Sequence, residues 1–397
     1  MIRVFGITGT NGKTTASYML REILGAEGKA CGLIGTVEHR IGNKHYIPIN
    51  TTPGKDLLKE LFHEMKRQEI FQCVMEVSSH GIHQGRIDRI RMAYGGFTNL
   101  SQDHLDYHKT MEQYYQVKKS LFTRCGEGAV INLDDQYGKR LYRELRLEVD
   151  IPAIKGYSLN DTNAYYYGKI LEETLEGSRF SFSENGIFLG ELKISTPGRH
   201  FVSNAMLAAS MARQAGTGWT AVEKGLLNLK KVPGRMELIG STDDTLGVVD
   251  YAHTPDGLEN LLDTLSKFKR GRLLCVFGCG GFRDKGKRHI MGEIAGNYSD
   301  YCVVTNDNPR GEPPENICQD IEEGLYPTGC DYCIIPDRYQ AIQRAVSLAT
   351  KWDIIVVAGK GHETYQLCGE TRMPFDDRNV LKGLLEKKYE KTYNEPD

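Results

Sequence analysis

No run of apolar residues in this sequence approaches the ~18 needed to span a bilayer. The stretch from Met1 to Ile7 is mostly apolar but carries Arg3 and is broken at Gly6, too early to form the core of a secretory signal. Membrane insertion and export are therefore not expected, and the expected location is the cytoplasm. An excess of one charge sign is also missing: Lys plus Arg number 50 against 52 for Asp plus Glu, a net charge of -2. That balance offers no broad positive field to a nucleic acid backbone or an anionic membrane, so a phosphate-bearing ligand has to be held by local geometry. The ten cysteines include one C-x-x-C, Cys330 with Cys333, but no second pair at zinc spacing. Many of the ten stand in apolar strand-like runs, where Cys acts as a small hydrophobe. Internal repeats, low-complexity tracts and long blocks of like charge are absent as well.

What remains is a globular chain of 397 residues, 40% hydrophobic and 26% charged. At ~100 to 200 residues per domain, two or three domains are expected. Ile2 to Thr8, Cys31 to Thr36, Phe71 to Ser79 and Met92 to Leu100 read as buried parallel strands, with crossover helices at Thr14 to Leu24 and Lys55 to Gln68. Between Asn163 and Thr196 the pattern turns to alternation, with Glu184-Asn185-Gly186 as a hairpin turn, which predicts an antiparallel ribbon added to the sheet. A helix follows over Phe201 to Gln214. Val232-Pro233-Gly234-Arg235 breaks the pattern, and a second strand series begins: Leu246 to Tyr251, Arg272 to Gly278, Tyr301 to Thr305, Cys330 to Pro336 and Asp353 to Ala358. Helices are predicted at Pro255 to Phe268, Lys287 to Ala295, Pro314 to Leu325 and Arg338 to Ala349. The fold class is α/β: a central P-loop ATPase-like domain, residues 1–232, with a mostly parallel sheet plus antiparallel ribbon, then a Rossmann-like C-terminal domain, residues 233–397. The final KKYEKTYNEPD is expected to be a frayed helix end.

Directly after the first strand comes Gly9-Thr10-Asn11-Gly12-Lys13-Thr14-Thr15, which opens a helix. Backbone N–H groups, the helix N-terminus and a Lys ammonium in that order cradle nucleotide phosphates, and the Thr14 hydroxyl can ligate Mg²⁺. The glycine that the general P-loop has five residues before its Gly-Lys pair is replaced by Ile7, so this is a variant loop. A plain tight turn leaves Lys13 unexplained. At the third strand's end, Glu76, Ser78, Ser79 and His80 reach the carboxyl edge of the sheet, where α/β ligands bind. Glu76 is a candidate Mg²⁺ ligand. Beyond Asn99, the residues Asp103, His104, Asp106 and His108 put two imidazoles and two carboxylates within six positions.

GTNGKTT, TTPG at Thr51 to Gly54, EVSSHG at Glu76 to Gly81 and NLSQDHLDYH at Asn99 to His108 resemble the Mur ligases. The resemblance implies an ATP-dependent enzyme that activates a carboxylate as an acyl phosphate and lets an amine displace phosphate to form an amide. It implies Lys13 and Thr14 for ATP and Mg²⁺, Glu76 and His104 for a second Mg²⁺, and Thr51, Thr52, Ser78 and Arg86 for the acyl substrate. The helix around Tyr114 to Phe122 is similar to the one carrying the family's carbamylated lysine, which by position is Lys118, with Lys119 as the control. Carbamylation turns an ammonium into an anion that can steady a metal, whereas without the resemblance Lys118 reads as a solvated residue on a helix face. The resemblance also carries Asn204, Arg235, Asp250, His253 and Asp256 to the ATP side. Arg283, Asp307, Asn308, Arg310, Gly359 and Glu363 suit an amino acid zwitterion, since guanidinium clamps carboxylate and Glu363 can take an ammonium. Asp307-Asn308-Pro309-Arg310 resembles the version of this site that selects meso-diaminopimelate over lysine, though as a bare string it also reads as a plain turn.

Three positions depart from the family pattern: Phe282 stands in place of an aspartate, His289 of a proline and Phe201 of an asparagine. The family's domain that grips the uridine diphosphate end of its substrate precedes the P-loop, and with the loop's strand starting at Ile2 that domain is not expected here. The expected partners are a small-molecule acid and an amino acid, with ATP and Mg²⁺ as cofactors, acting on a monomer. The acid is either a muramyl peptide or an unrelated metabolite. A nucleotide-binding regulatory protein without turnover and a simple kinase or ATPase are the competing readings. Only a ligase needs both the metal-side groups and the amino acid clamp.

Overall fold

A computed structural model of the chain describes residues 2–240 and 245–394. It divides into two compact units, one of residues 1–101 and 108–232, the other of residues 102–107 and 233–397. Among the described residues no helix is long and apolar enough to cross a membrane.

The first unit is organised by an eleven-stranded sheet. Its centre is parallel and runs Ile154–Ser158, Cys125–Asn132, Met92–Phe97, Arg3–Thr8, Gln72–Glu76, Cys31–Ile34. The middles of these strands are apolar because both faces are covered: Phe5, Ile7, Val74 and Met75 are all sealed from solvent. The predicted ribbon is present as Tyr166–Thr174, Gly177–Glu184 and Ile187–Ile194, antiparallel to one another at one edge. Its turn falls on Asn185 and Gly186, both with positive φ as a two-residue hairpin requires. The opposite edge is extended by the short strands His39–Ile41 and Lys44–Tyr46, which the sequence pattern did not show. Each has three residues, too few for a periodicity to register.

Helix Lys13–Gly25 packs against Arg199–Gln214 and Trp219–Asn228. Small side chains let these helices approach: Ala205, Ala208, Ala209 and Ala212 are fully buried, and a Cβ on Gly225 would lie 2.3 Å from the Cα of Ile23. In the parallel centre, Ile7 pairs with Glu76 and Thr8 with Phe97. The strand before the glycine loop therefore ends level with Glu76 on one side and the Thr98-Asn99 corner on the other.

The second unit holds a six-stranded sheet in the order Glu237–Ile239, Leu246–Asp250, Ile354–Ala358, Leu273–Cys279, Tyr301–Asn306, Asp331–Ile334, parallel apart from the first strand. Val249, Leu274, Val276, Val303, Ile355 and Val357 pack with Ala341, Ile342, Ala345, Leu381 and Leu385 in one core cluster. The helices Pro255–Ser266, Arg288–Tyr298, Pro314–Leu325 and Arg338–Leu348 lie within about three residues of their predicted ends. A hairpin of Tyr365–Cys368 and Thr371–Pro374 was not foreseen. The expected terminal fraying falls partly on helix Asp377–Asn394, which is regular through residue 394, and partly on 395–397, outside the described residues.

Candidate active site

The glycine loop of the first unit is closed by its neighbours. Thr10 N donates to Asn99 O at 2.9 Å, Asn11 N to Asn99 Oδ1 at 2.9 Å, and Thr98 Oγ1 to Asn11 O at 2.6 Å. Gly9 and Gly12 have φ of 148° and 86°. A Cβ on Gly9 would sit 1.8 Å from Thr98 Oγ1, and one on Gly12 2.2 Å from Asn204 Oδ1. Asn204, assigned to the ATP side, thus stands against the loop itself. Lys13 Nζ donates to Gly9 O at 2.9 Å and Thr10 O at 2.8 Å. Helix Lys13–Gly25 has neither a side-chain cap nor an acidic residue in its first turn, so the positive end of its dipole is offset by neither. Thr15 is buried.

Glu76 is wholly buried at the end of its strand and gathers oxygen and nitrogen donors. Thr14 Oγ1 reaches Glu76 Oε2 at 2.9 Å, Thr36 Oγ1 the same oxygen at 2.8 Å, and Thr36 N reaches Glu76 Oε1 at 2.9 Å. Thr36 was not singled out in the sequence, where a lone Thr past a strand carries no signal. It leads to the acid set, because Thr36 Oγ1 is also hydrogen-bonded to the Thr51 hydroxyl at 3.0 Å. Thr52 Oγ1 donates to Glu76 O at 3.0 Å and accepts from Ser78 N at 2.9 Å, while Arg86 Nη1 donates to Thr52 O at 2.7 Å. Thr51, Thr52, Ser78 and Arg86 are thereby connected to Glu76 through one hydrogen-bonded group.

Lys118 lies on helix Met111–Lys119 but does not face solvent: it is 1% exposed and donates to Gly9 O at 2.7 Å. The solvated reading of this lysine is therefore wrong. Its ammonium lies 4.6 Å from the centre of the Tyr114 ring, whose hydroxyl is 3.2 Å from Thr10 Oγ1. Lys119 instead pairs with Glu144 and Glu148. His108 stacks on Tyr114 and reaches Ser79 Oγ at 2.9 Å. Burial, with His80 and Lys118 nearby, pushes its imidazole down to about 4.

In the second unit a cavity opens at the carboxyl ends of the strands, lined among others by Asp103, His104, Asp106, His253, Arg283, Asp284, Lys287, Asp307, Asn308, Arg310, Gly359 and Glu363. All six residues assigned to the amine line it, and so do His104 from the metal set and His253 from the ATP set. Burial alone would raise the Asp307 carboxyl, but Lys360, Arg338, His253 and Arg310 hold it below the ordinary value. Asp103, also buried, is held well below its ordinary value by Lys287, His104 and His253, with Lys287 Nζ 3.3 Å from Asp103 Oδ1. Arg310 is lowered by burial and by the charge of Arg283.

The Asp307 to Arg310 turn rests on the unforeseen hairpin. Gln366 Nε2 donates to Asp307 O at 2.8 Å, Leu367 N to Asn308 Oδ1 at 2.8 Å, and Arg310 N to Leu367 O at 3.0 Å. Beneath it lies Arg338, fully buried, which is paired with the equally buried Asp377 at 2.8 Å and donates to Asn306 O and Ala358 O. A second interior pair, Arg288 with Glu312, supports the loop before Arg283, since Glu312 Oε2 also accepts from Phe282 N at 2.8 Å. Of the eight non-glycine residues with positive φ among the described residues, His104, Phe282 and Arg310 belong to this cavity or its rim. Such backbone costs ~1–3 kcal/mol per residue and persists only where the surroundings fix it.

The remaining residues are placed as follows. Asp250 accepts from Met236 N at 2.6 Å and Ala252 N at 2.7 Å; burial outweighs Arg235 and raises its carboxyl. Arg235 covers the Tyr251 ring at 4.5 Å, and Asp256 is in the first turn of helix Pro255–Ser266. Of the three departures, Phe282 is 64% exposed, His289 is exposed on a helix, and Phe201 is buried in helix Arg199–Gln214.

The class that this fold and loop define is an ATP-dependent amide-forming ligase. More narrowly, the chain belongs to the Mur ligase family: residues 7–212 match the Mur ligase middle domain and residues 234–361 the Mur ligase glutamate ligase domain. It is 41% identical over 384 residues to UDP-N-acetylmuramoyl-L-alanyl-D-glutamate–2,6-diaminopimelate ligase of Caldanaerobacter subterraneus subsp. tengcongensis, and 42% identical over 386 residues to ligase 1 of that description from Clostridium acetobutylicum. Each match covers 97% of this chain and 78% of the relative. A solved structure of a UDP-N-acetylmuramoyl-L-alanyl-D-glutamate–2,6-diaminopimelate ligase superimposes with a TM-score of 0.67 at 35% identity, covering 98% of this chain and 79% of that one.

Proposed function

We propose that this protein joins the carboxylate of a muramyl peptide to an amino group of meso-diaminopimelate, with ATP activating the acid as an acyl phosphate. The names of the relatives supply the substrates: UDP-N-acetylmuramoyl-L-alanyl-D-glutamate as acid and 2,6-diaminopimelate as amine. The observation that carries the reading to this chain is the second unit's cavity. There Arg283 and Arg310 stand with Asp307, Asn308 and Glu363, an arrangement of both charge signs that suits a molecule with carboxylates and ammonium groups. Residues 1–232 would then form the domain for ATP and acid, and 233–397 the domain for the amine.

Forming an acyl phosphate brings one anion against another, so the site has to supply positive charge rather than a nucleophile. Lys13 and the first-turn N–H groups of its helix would take the phosphates. Thr51, Thr52, Ser78 and Arg86 would hold and orient the acid. The donor set around Glu76, hard oxygens from Thr14, Thr36 and the carboxylate itself, would fit Mg²⁺, with a carbamylated Lys118 as a further candidate. When bound, Mg²⁺ neutralises phosphate charge. Asp307 and Glu363 would receive the ammonium end of the amine, and Arg310 with Arg283 its carboxylates.

The test is phosphate release and amide product from the purified protein with ATP and Mg²⁺, over a panel of UDP-linked and free acids and of amines. Release that requires both an acid and an amine, with meso-diaminopimelate preferred over lysine, is expected. Release that ignores the amine would make the protein a kinase or ATPase. Lys118→Ala should abolish product formation and Lys119→Ala should not.

A further inference from the structure

Asp307, Asn308 and Glu363 share a neighbour that the sequence pattern did not single out. Lys360 is fully buried. Its Nζ donates to Glu363 Oε2 at 2.9 Å, to Asn308 Oδ1 at 3.1 Å and to Asp307 Oδ1 at 3.4 Å. An ammonium has three hydrogens, and here all three go to those residues, leaving none for a ligand. The consequence is clearest at Glu363. Its Oε2 is taken twice, by Lys360 and by Asn308 Nδ2 at 3.0 Å, which turns the other oxygen, Oε1, away from both.

We infer that Lys360 is a positioning residue for the amine: it touches no substrate, but it locks one oxygen each of Asp307 and Glu363 so that Asp307 Oδ2 and Glu363 Oε1 are presented to the incoming ammonium. Charge supports this assignment. Without Lys360 the Asp307 and Glu363 carboxylates would lose the one ammonium that bridges them, and although Arg338, His253 and Arg310 would still act on Asp307, the repulsion between the two carboxylates would turn one side chain away. With Lys360 the group carries a single net negative charge, which matches one ammonium. Gly359, with φ of 120°, keeps the main chain close beside Asp307: a Cβ there would lie 3.2 Å from Asp307 Oδ2, the oxygen assigned to the ligand.

The inference rests on the cavity being the amine site, so its test must tell the two apart. Full-length wild type, Lys360→Met, Lys360→Arg, Glu363→Gln and the double variant Lys360→Met with Glu363→Gln are compared in amide formation and in calorimetric binding of meso-diaminopimelate. Losing one partner of a buried charged cluster should raise the KM for the amine about thirty-fold or more. The KM for ATP and kcat should stay within about threefold, and Lys360→Arg should recover part of the loss. The two positions should also be non-additive, Lys360→Met adding less than about threefold to Glu363→Gln, which keeps the test valid if the single lysine variant folds poorly. An unchanged amine KM in folded Lys360→Met, a loss confined to kcat, or fully additive losses would overturn the positioning role while leaving the proposed function intact. A wild type that neither binds nor consumes meso-diaminopimelate would overturn both.

Discussion

The glycine loop of the first unit is made of main chain, while the cavity of the second is made of side chains, and the two stay in place by different means. In the loop, Gly9 and Gly12 bring the backbone within reach of Thr98, Asn99 and Asn204, and the positive end of a helix supplies part of the charge. The buried charges beside it are Lys118, which with the half-buried Lys13 hydrogen-bonds to loop carbonyls, and Glu76, which accepts from Thr14. The cavity, by contrast, collects carboxylates and guanidinium groups at strand ends. It holds them only because further charges, Lys360, Arg338 with Asp377, Arg288 with Glu312 and Lys287 with Asp103, are buried around it. A backbone site tolerates little change of shape, whereas a side-chain site tolerates little change of charge.

Substitutions can sharpen or break that contrast. The largest effect is expected for Arg338→Met, which leaves Asp377 buried without its counter-charge. Denaturant unfolding should show a loss of about 3–5 kcal/mol. A loss under about 1 kcal/mol, the range of a solvated pair, would mean that the interior charges are dispensable and the contrast false. Next, Lys13→Ala should lower amide formation by ~10²–10³-fold with unchanged thermal stability. An unaltered rate would move the phosphates to another part of the protein.

Gly12→Ala should cost about 1–3 kcal/mol through its positive φ, with further loss of nucleotide affinity from the contact with Asn204 Oδ1. Adding Asn204→Ala should relieve the contact but not the backbone strain. If Gly12→Ala alone binds nucleotide normally, the loop is less constrained than its geometry implies. The mildest test is pH. Arg288 holds the Glu312 carboxyl at about 2, against an ordinary 4.5. A carboxylate lowered on folding contributes stability above its unfolded value, and that contribution fades as pH falls from about 4.5 towards 2. Acid unfolding followed by circular dichroism should therefore steepen over that window in wild type, and less so in Arg288→Met.

The same division explains what could be read from the sequence. GTNGKTT is contiguous and follows a strand, so a glycine loop that opens a helix is legible in the sequence alone. The parallel strands, the ribbon with its Asn185-Gly186 turn and the break near residue 233 were visible for a similar reason, since periodicity and turn chemistry are local. Lys118 was found by resemblance alone, because nothing on its helix indicates that the ammonium turns inward to Gly9 O. The cavity's supports were missed. Lys360 stands in the string Gly359-Lys360-Gly361-His362-Glu363, from which Gly359 and Glu363 were taken, but a lysine beside two glycines gives no sign of being fully buried. Arg338, Arg288 and Glu312 were missed because the partners that bury them lie 39 and 24 residues away along the chain.

The buried pair under the Asp307 turn also bears on how the second unit is made. Arg338 opens its helix 39 residues before Asp377, so until the final helix is in place its guanidinium lacks the carboxylate that neutralises it. The carbonyls of Asn306 and Ala358 can steady that cation in the meantime, but they cannot discharge it. Sealing the unit's interior therefore waits on the helix that begins at Asp377, and released chains truncated just before that residue should be digested by protease far faster than the full-length protein.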